Sequence, residues 1–270
     1  MSYGGLSQPP ASIARMLTEE RVTPMDVDDE LRLEPSWRSD VTVELVKSSA
    51  SDNDVIWAAR VATAGEQSLA ARDEDPVRSK GLINYLMRER HGSPFEHNSM
   101  TFLVSAPIFV FREFHRHRIG WSYNESSGRY RELEPVFYVP APDRKLVQEG
   151  KPGAYVFVDG TPSQHEAVVT ATKSACATAY AAYQQMLRAG VAREVARGVL
   201  PVATYSSMYA TCNARSLMAF LSLRTGREGS RFPSYPLREI EMVGELMEAE
   251  WAALMPLTYE AFNVNGRVSP

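Results

Sequence analysis

A cluster of cationic side chains between residues 111 and 132 is the stretch of this sequence best suited to chemistry. It contains five arginines, two histidines and three acids: Arg112, Arg116, Arg118, Arg129, Arg131, His115, His117, Glu113, Glu125 and Glu132. The whole chain carries a formal net charge of −4, so this positive charge is a local feature. Guanidinium groups present a rigid fork of donors to phosphates and carboxylates. Because Phe114, Trp121 and Tyr123 lie in the same stretch, the cluster suits a phosphorylated ligand with a flat ring. A solvated cationic loop is the alternative interpretation.

A second candidate site lies in residues 213–224. A helix turns about 100° per residue, which places along one stripe Asn213, Leu217, Phe220 and Arg224. A polar residue and an arginine at the two ends of an apolar stripe favour a pocket. A core helix with polar capping ends fits the periodicity equally well, so both interpretations stay open.

The residues around the cationic cluster predict the elements that support it. We expect a helix over residues 108–116, with Arg112, His115 and Arg116 on one face at the spacing i, i+3, i+4. Apolar residues on the opposite face would fix this helix to the core. Residues 119–130 are expected to form a loop, and loops on rigid supports are where ligand contacts concentrate.

Periodicity and turn residues predict the organisation of the rest of the chain. Strands are expected at residues 41–46, 100–104 and 202–210, helices at 51–62, 76–91, 162–189, 191–199, 213–223 and 236–254, and an irregular segment at 133–151. This mixture favours a single α+β domain over residues 39–270. Residues 1–38, rich in proline, glycine and acids, predict a poorly structured N-terminal extension with a short helix near residues 13–20.

Composition places the protein among soluble globular chains. With 270 residues, 44% of them hydrophobic, it can bury one large core or two small ones. No apolar run reaches the length of a membrane span and no signal peptide is evident, so we expect a cytoplasmic protein with no membrane association. Cys176 and Cys212 provide neither a disulfide framework nor a cysteine-rich metal site. The acidic balance argues against non-specific binding to nucleic acid.

The arginine-rich stretch also carries a recognisable pattern. Arg-His-Arg at residues 116–118 is followed after a short spacer by Asn-Glu-Ser-Ser-Gly-Arg-Tyr at residues 124–130. This closely resembles the signature of the flavin-dependent thymidylate synthases, which is Arg-His-Arg, seven residues and a serine. Counted literally, the spacer leads to Ser126. Alignment on the downstream Ser-Gly-Arg-Tyr leads to Ser127 instead, and we prefer Ser127 because the Gly-Arg-Tyr sets the register.

Three further segments resemble elements of the same family. Residues 213–224 resemble its Asn-Ala-Arg-Ser-Leu motif with a final Leu-Arg, residues 192–201 its Ala-Arg-x-x-Leu-Pro element, and residues 91–97 its His-x-Ser-Pro-Phe-Glu-His element. Residues 91–97 could alternatively be metal ligands, but without helical spacing or a third ligand cluster no metal site is expected. The resemblance runs in collinear order from about Ser39 to the end of the sequence.

The resemblance implies roles for individual residues. The catalytic residues would be Arg224, which contacts the pyrimidine and favours its N3-ionised form, and His91, which lies at the flavin and near the folate. A cation beside a weak acid lowers the pKa of that acid, so the role of Arg224 is physically sensible. The positions implied at the flavin are Ser93, Arg116, His117, Arg118, Glu125, Asn213, Arg215 and Ala219. The positions implied at the nucleotide are Glu113, Arg116, Ser126 or Ser127, Gly128, Arg129, Arg197 and Arg224.

The sequence departs from the family pattern at three places. Glu113 occupies a position that is often glutamine, and Ala219 one that is often histidine or asparagine. A methyl group at Ala219 cannot make the hydrogen bond of those residues. The segment 225–231 is also changed. These departures affect the expected cofactor geometry and substrate choice more than the expected fold.

The implied fold is a central, mainly antiparallel sheet flanked by long helices. The implied reaction is reductive C5-methylation of dUMP to dTMP with methylenetetrahydrofolate, FAD and NADPH, in a homotetramer whose sites combine residues of several subunits. Methylation of UMP to 5-methyl-UMP for nucleoside-antibiotic biosynthesis is the main alternative, suggested by the changes at Ala219 and residues 225–231. A non-catalytic nucleotide-binding or RNA-binding module is the third hypothesis, and retention of Arg224, His91 and the Arg-His-Arg run argues against it.

Overall fold

The computed structural model describes residues 34–68, 76–151 and 154–270. The expected N-terminal extension therefore lies outside the described residues except for residues 34–38. The short helix expected near residues 13–20 lies outside them altogether. Within residues 34–38, the segment Ser36–Arg38 forms strand β1.

Four antiparallel strands form the central sheet: β2 (Thr42–Ser48), β3 (Met100–Pro107), β4 (Trp121–Glu125) and β8 (Tyr205–Cys212). Their spatial order is β2, β3, β8, β4. Along β3, every second residue is fully buried, namely Met100, Phe102, Val104 and Ala106, because successive side chains of a strand point to opposite faces. The strands predicted near residues 41–46, 100–104 and 202–210 are confirmed.

Strand β4 contradicts the loop expected over residues 119–130. It pairs with β8 from Trp121 opposite Cys212 to Glu125 opposite Met208. Trp121 and Tyr123 alternate with polar residues, which is the local signal of a strand. The strand therefore fixes residues 121–125 of this segment, whereas residues 119–120 and 128–130 are turns.

Helices pack against this sheet in a common core. The described helices are α1 (Asp52–Ala64), α2 (Pro76–Arg88), α3 (Ile108–Phe114), α4 (Pro162–Arg188), α5 (Arg193–Ala196), α6 (Ala214–Arg224), α7 (Arg238–Leu254) and α8 (Pro256–Val264), with short 3₁₀ helices at Ser93–Glu96 and Arg197–Val199. The helices predicted within the described residues are confirmed, although that of residues 191–199 divides into α5 and a 3₁₀ turn and that of residues 108–116 ends at Phe114. Helix α8 was not predicted.

Helix α3 is shorter than expected, and this changes the direction of Arg116. The N–H of His115 donates to the carbonyl of Phe111, but the N–H of Arg116 donates to the carbonyl of Glu113, only three residues back. The chain therefore leaves the helix after Phe114. Arg116 lies beyond the helix and does not share one helical face with Arg112, so that prediction was wrong.

Smaller sheets complete the described fold. β5 (Val136–Tyr138) pairs in parallel with β1, and β6 (Val147–Lys151) pairs antiparallel with β7 (Ala154–Val158). The segment 133–151, expected to be irregular, thus contains two strands. The main core joins the sheet to the helices through fully buried Phe102, Phe220 and Trp251. The α+β class with a central antiparallel sheet is confirmed. No helix among the described residues is long and apolar enough to cross a membrane.

Candidate functional site

The guanidinium group of Arg224, the last residue of α6, is held by two other residues. Its Nε donates to Nε2 of His117 at 3.0 Å, and its Nη1 donates to Oε2 of Glu113 in an ion pair. Its Nη2 lies 3.5 Å from the main-chain oxygen of Glu113. All three residues were predicted at the site, and the structure brings them into direct contact. We call Glu113, His117 and Arg224 the Arg224 cluster.

Aromatic packing explains why these residues meet. The rings of Phe114 in α3 and Phe220 in α6 are stacked with centroids 4.8 Å apart, and the ring of His117 lies edge-on to Phe220 at 4.9 Å. The hydroxyl of Tyr123 shares its single proton between the carbonyl oxygens of His117, at 2.7 Å, and Phe114, at 3.0 Å. Tyr123 therefore fixes the turn after α3. The sequence did not assign it this role.

His117 is neutral at physiological pH. Burial and the neighbouring charge of Arg224 lower the pKa of His117 to about 4. Because Nε2 accepts the hydrogen bond from Arg224, the ring proton of the neutral form belongs on Nδ1. Arg224 is thus oriented by one carboxylate and one neutral imidazole.

The N-terminal end of α6 is fixed to the turn that follows Arg118. Oδ1 of Asn213 accepts from the N–H of Ser216 at 2.9 Å as a helix cap, and the hydroxyl of Ser216 donates to the carbonyl of Ile119 at 3.0 Å. Gly120 has a φ of +69°, and a Cβ there would lie 2.1 Å from Oγ of Ser216. Only glycine fits this close approach.

Arg215 belongs to the same end of α6 and contacts the 91–97 segment. Its Nη1 lies 2.5 Å from Oε1 of Glu96, and a Cβ on Gly92 would lie 2.5 Å from its guanidinium. His91 and Ser93 on either side of Gly92 are exposed. Helix α6 therefore connects three predicted elements: the 91–97 segment at its start, the Arg-His-Arg turn alongside, and Arg224 at its end.

Four of the residues expected at the nucleotide form a separate group, and the resemblance implies that one of them, Arg197, contacts its phosphate. Oγ of Ser127 accepts from the N–H of Arg129 at 3.3 Å, and a Cβ on Gly128 would lie 3.3 Å from Cδ of Arg197. Nη2 of Arg129 lies 3.0 Å from Oε2 of Glu194. We call Ser127, Gly128, Arg129 and Arg197 the Arg197 cluster. Among the described residues, no hydrogen bond, ion pair or ring contact joins it to the Arg224 cluster.

Other predicted positions lie at the surface or at the edge of a cavity. Arg116 and Arg118 are exposed, and their side chains make no hydrogen bond or ion pair with any described residue. Ala219 is exposed on α6, and Glu125, at the end of β4, is partly buried. Ser126 donates its N–H to the carbonyl of Ser207 and lines a polar cavity of about 190 Å³. The described residues contain no group of three or more His, Cys, Asp or Glu side chains that could hold a metal ion.

Comparison with known proteins places this fold and this arrangement of residues in a family. Residues 44–257 match the model of the family described as Thymidylate synthase complementing protein. The chain belongs to this family, as its motifs predicted.

Individual relatives are close in sequence and structure. The chain is 74% identical over 238 residues to a protein of Streptomyces avermitilis named flavin-dependent thymidylate synthase, covering 88% of this chain and 97% of the relative. It is 56% identical over 238 residues to a protein of the same name from Tropheryma whipplei, covering 88% and 98%. Among solved structures, the UMP/dUMP methylase PolB of Streptomyces cacaoi bound with 5-Br dUMP superposes with a TM-score of 0.82 at 59% identity, covering 87% of this chain and 100% of that one.

Proposed function

We propose that this protein catalyses the reductive C5-methylation of a uridine monophosphate nucleotide, converting dUMP to dTMP with methylenetetrahydrofolate, FAD and NADPH. Residues 39–270 would form the catalytic region. The observation that carries the proposal is the Arg224 cluster, because it presents a directed cation at the end of a helix whose other end meets the 91–97 segment.

Arg224 acts on the pyrimidine as a fixed positive charge. A guanidinium beside the ring stabilises negative charge on N3 and its neighbouring carbonyl oxygens, and so lowers the pKa of N3. Neutral His117 holds Nε of Arg224 without adding a competing charge. The nucleotide has to share the remaining guanidinium donors with Glu113. The charge of Glu113 therefore influences how strongly the base is bound.

The residues around the Arg-His-Arg turn fit an anionic cofactor. Arg116 and Arg118 are exposed cations without a described ionic partner, and arginine suits the diphosphate of FAD. His117, Glu125, Asn213 and Arg215 lie on the same turn, on β4 and at the start of α6. When bound, the flavin supplies the hydride that completes the new methyl group, while the folate supplies its carbon. Ala219 offers only a methyl group and would contribute packing without a hydrogen bond.

His91 and Ser93 are proposed to complete the flavin and folate side of the site. Both are exposed beside Gly92, against which the guanidinium of Arg215 packs. The role of these residues is to orient the two ring systems and to keep water from the reacting carbon. Neither Cys176 nor Cys212 is proposed as a nucleophile. Burial raises the pKa of both thiols, which opposes formation of the thiolate.

We further propose a homotetramer whose sites are shared between subunits. We also propose that the Arg197 cluster holds the nucleotide phosphate. In support of sharing, no hydrogen bond, ion pair or ring contact among the described residues of one chain joins the Arg197 cluster to the Arg224 cluster. A nucleotide is short, so both groups have to converge on it, and a second subunit can bring them together. Light scattering on the purified protein gives the mass of the assembly. Mixing the Arg197→Ala and Arg224→Ala variants then tests sharing, because complementation restores activity only if one site takes residues from two chains.

UMP is the second candidate substrate. The solved structures of PolB, at 58% and 59% identity, are described as a UMP/dUMP methylase bound with 5-Br UMP and with 5-Br dUMP. One ribose hydroxyl separates the two nucleotides. A pocket built to bond that hydroxyl discriminates strongly, whereas one that only tolerates it does not.

The deciding experiment measures the visible spectrum of the purified protein and its NADPH- and methylenetetrahydrofolate-dependent turnover of dUMP and UMP in parallel. We expect a yellow protein that methylates dUMP. Comparable turnover of UMP would assign the alternative function. A colourless protein that is inactive on both nucleotides, even with added FAD, would leave only the binding-module hypothesis.

A further inference from the structure

Arg267 is a buried cation in the segment 266–270, which no motif of the family resemblance includes. It is 4% exposed, and its φ of +57° is unusual for a residue other than glycine. Its Nη1 donates to Oε1 of Glu248 and to Oδ1 of Asn263, each at 2.6 Å. Its Nη2 donates to Oγ1 of Thr225 at 2.9 Å and to Oε2 of Glu248 at 3.1 Å. The side chain thus joins α7, α8 and the end of α6.

Thr225 directly follows Arg224 and is held on several sides. Its hydroxyl accepts from Arg267 and donates to the carbonyl of Leu221 at 2.7 Å. Its methyl group packs against α7, since a Cβ on Gly244 would lie 2.9 Å from Cγ2 of Thr225. Thr225 is 2% exposed. The contacts of Thr225 therefore fix the backbone at Arg224.

The same segment also contacts the other end of α6. The hydroxyl of Ser269 donates to the carbonyl of Arg215 at 3.0 Å, and Nε of Arg215 donates to the carbonyl of Pro270 at 2.7 Å. Nη2 of Arg90, the residue before His91, donates to the carbonyl of Ser269 at 3.3 Å. Helix α6 has 11 residues and is about 16 Å long. Four extended residues span about 13–14 Å, so residues 267–270 with the two arginine side chains can connect both ends.

Stability alone gives little reason for this arrangement. A buried ion pair often stabilises a fold no better than apolar residues of the same volume, because both charges lose their hydration. The four hydrogen bonds of the Arg267 guanidinium do, however, strongly restrict the relative positions of α7, α8 and Thr225. We propose that Arg267 is a positioning residue for Arg224, acting through Thr225, and that Ser269 positions Arg215 at the opposite end of α6. The proposal rests on the proposed function, in which Arg224 binds the pyrimidine.

The test removes the connection without leaving an unpaired buried charge. The double variant Arg267→Met/Glu248→Gln deletes the ion pair and the hydrogen bond to Thr225. Thr225→Val deletes the hydroxyl while keeping the ion pair. We expect the KM for dUMP to rise about tenfold in both, the magnitude of one lost hydrogen bond to a charged group, with flavin content per chain unchanged. Arg267→Lys, which keeps the cation, should recover part of the loss.

A matched control separates positioning from general destabilisation. Arg144 and Glu239 form a partly buried ion pair at the start of α7, with Nε and Oε1 2.8 Å apart, and the described contacts of this pair do not include α6. The double variant Arg144→Met/Glu239→Gln should lower the melting temperature to a similar extent but leave the KM for dUMP unchanged. If the Arg267 variants only lose thermal stability, as this control does, Arg267 is structural and the proposal is overturned.

The second half of the proposal has its own measurement. Ser269→Ala removes the hydrogen bond to Arg215, so we expect weaker flavin retention on gel filtration with an unchanged KM for dUMP. Unchanged flavin retention would overturn this half. Calorimetric binding of dUMP distinguishes failure of the positioning from failure of the proposed function. A wild-type protein that binds dUMP but does not turn it over refutes only the proposed reaction, and the binding constants of the variants still decide the role of Arg267.

Discussion

The two groups of residues proposed to hold the nucleotide differ in how far the chain itself fixes them. In the Arg224 cluster, the Arg224 side chain is 18% exposed and its ion-pair partner Glu113 is 38% exposed, and His117 provides a second hydrogen bond. In the Arg197 cluster, the side chains of Arg129 and its ion-pair partner Glu194 are 46% and 59% exposed. Arg197 is exposed and makes no hydrogen bond or ion pair through its side chain with any described residue.

This difference matches what each end of a nucleotide requires. Recognition of a pyrimidine ring depends on donors at fixed directions, so preorganisation of Arg224 by His117 and Glu113 is useful before the ligand arrives. A phosphate carries charge on several equivalent oxygens, so mobile cations can adapt to it. Exposed pairs such as Arg129 and Glu194 contribute little to stability, and they can exchange partners at little cost. We therefore expect the proposed pyrimidine end to be preformed and the proposed phosphate end to be completed on binding.

Substitution of Arg224 should give the largest effect. Arg224→Ala removes the directed charge at the base, and we expect kcat/KM to fall by about a hundredfold or more, while bound flavin is largely retained. Steady-state kinetics and the visible spectrum measure both. Arg238→Ala removes an exposed arginine paired with Glu241 and Glu245. It serves as the control and should leave kcat/KM and bound flavin unchanged. Loss of flavin with retained turnover would contradict the role of Arg224.

Substitution of Arg197 should have a smaller effect of a different kind. Arg197→Ala removes one cation from the phosphate end, and we expect the KM for dUMP to rise about tenfold with little change in kcat, because the contact is the same in the ground and transition states. Arg193→Ala, an exposed arginine one turn earlier, is the matched control. A change in kcat alone would indicate that the phosphate end is not merely a binding element.

Neutralising the acidic partner at each end compares the two directly. Glu113→Gln keeps a hydrogen-bond acceptor for Arg224 but removes the charge that competes with the base, so we expect the KM for dUMP to fall by about threefold to fivefold. Glu194→Gln should change it by less than about twofold, because exposed ion pairs are weak. Initial rates measured over a range of dUMP concentrations in the same buffer give the KM of both variants. Equal effects would show that the two ends are not differently preorganised.

The ionisation of His117 should produce the smallest effect at neutral pH. Nuclear magnetic resonance of the ring should give a pKa of about 4, and Arg224→Gln should raise it because a repelling charge is removed. The folded-state pKa lies below the ordinary value of 6.5, so the unfolded state binds more protons between these pH values. The stability contributed by neutral His117 is therefore complete above about pH 6.5 and is lost as the pH falls towards 4. A ring that titrates near 6.5 would exclude the bond from Arg224.

The sequence by itself determined the class of fold, the family and the identity of the candidate residues. Alternation along residues 100–104 and helical spacing in residues 213–223 are local properties, because they follow from the geometry of single strands and helices. The motifs also gave the correct family. Two segments were misjudged for identifiable reasons: Arg116 leaves the helix after a three-residue hydrogen bond, and β4 forms because β8 pairs with it.

Only the tertiary structure decided which candidate residues meet. The contact between Glu113 and Arg224 joins residues 111 positions apart, and periodicity within either helix carries no information about it. The same holds for Arg267, which reaches Thr225 across 42 positions and has no motif to mark it. Such contacts depend on the packing of Phe114 against Phe220 and of α7 against the end of α6. The sequence therefore supplied the chemical groups, and long-range packing set their directions and, for His117, the pKa.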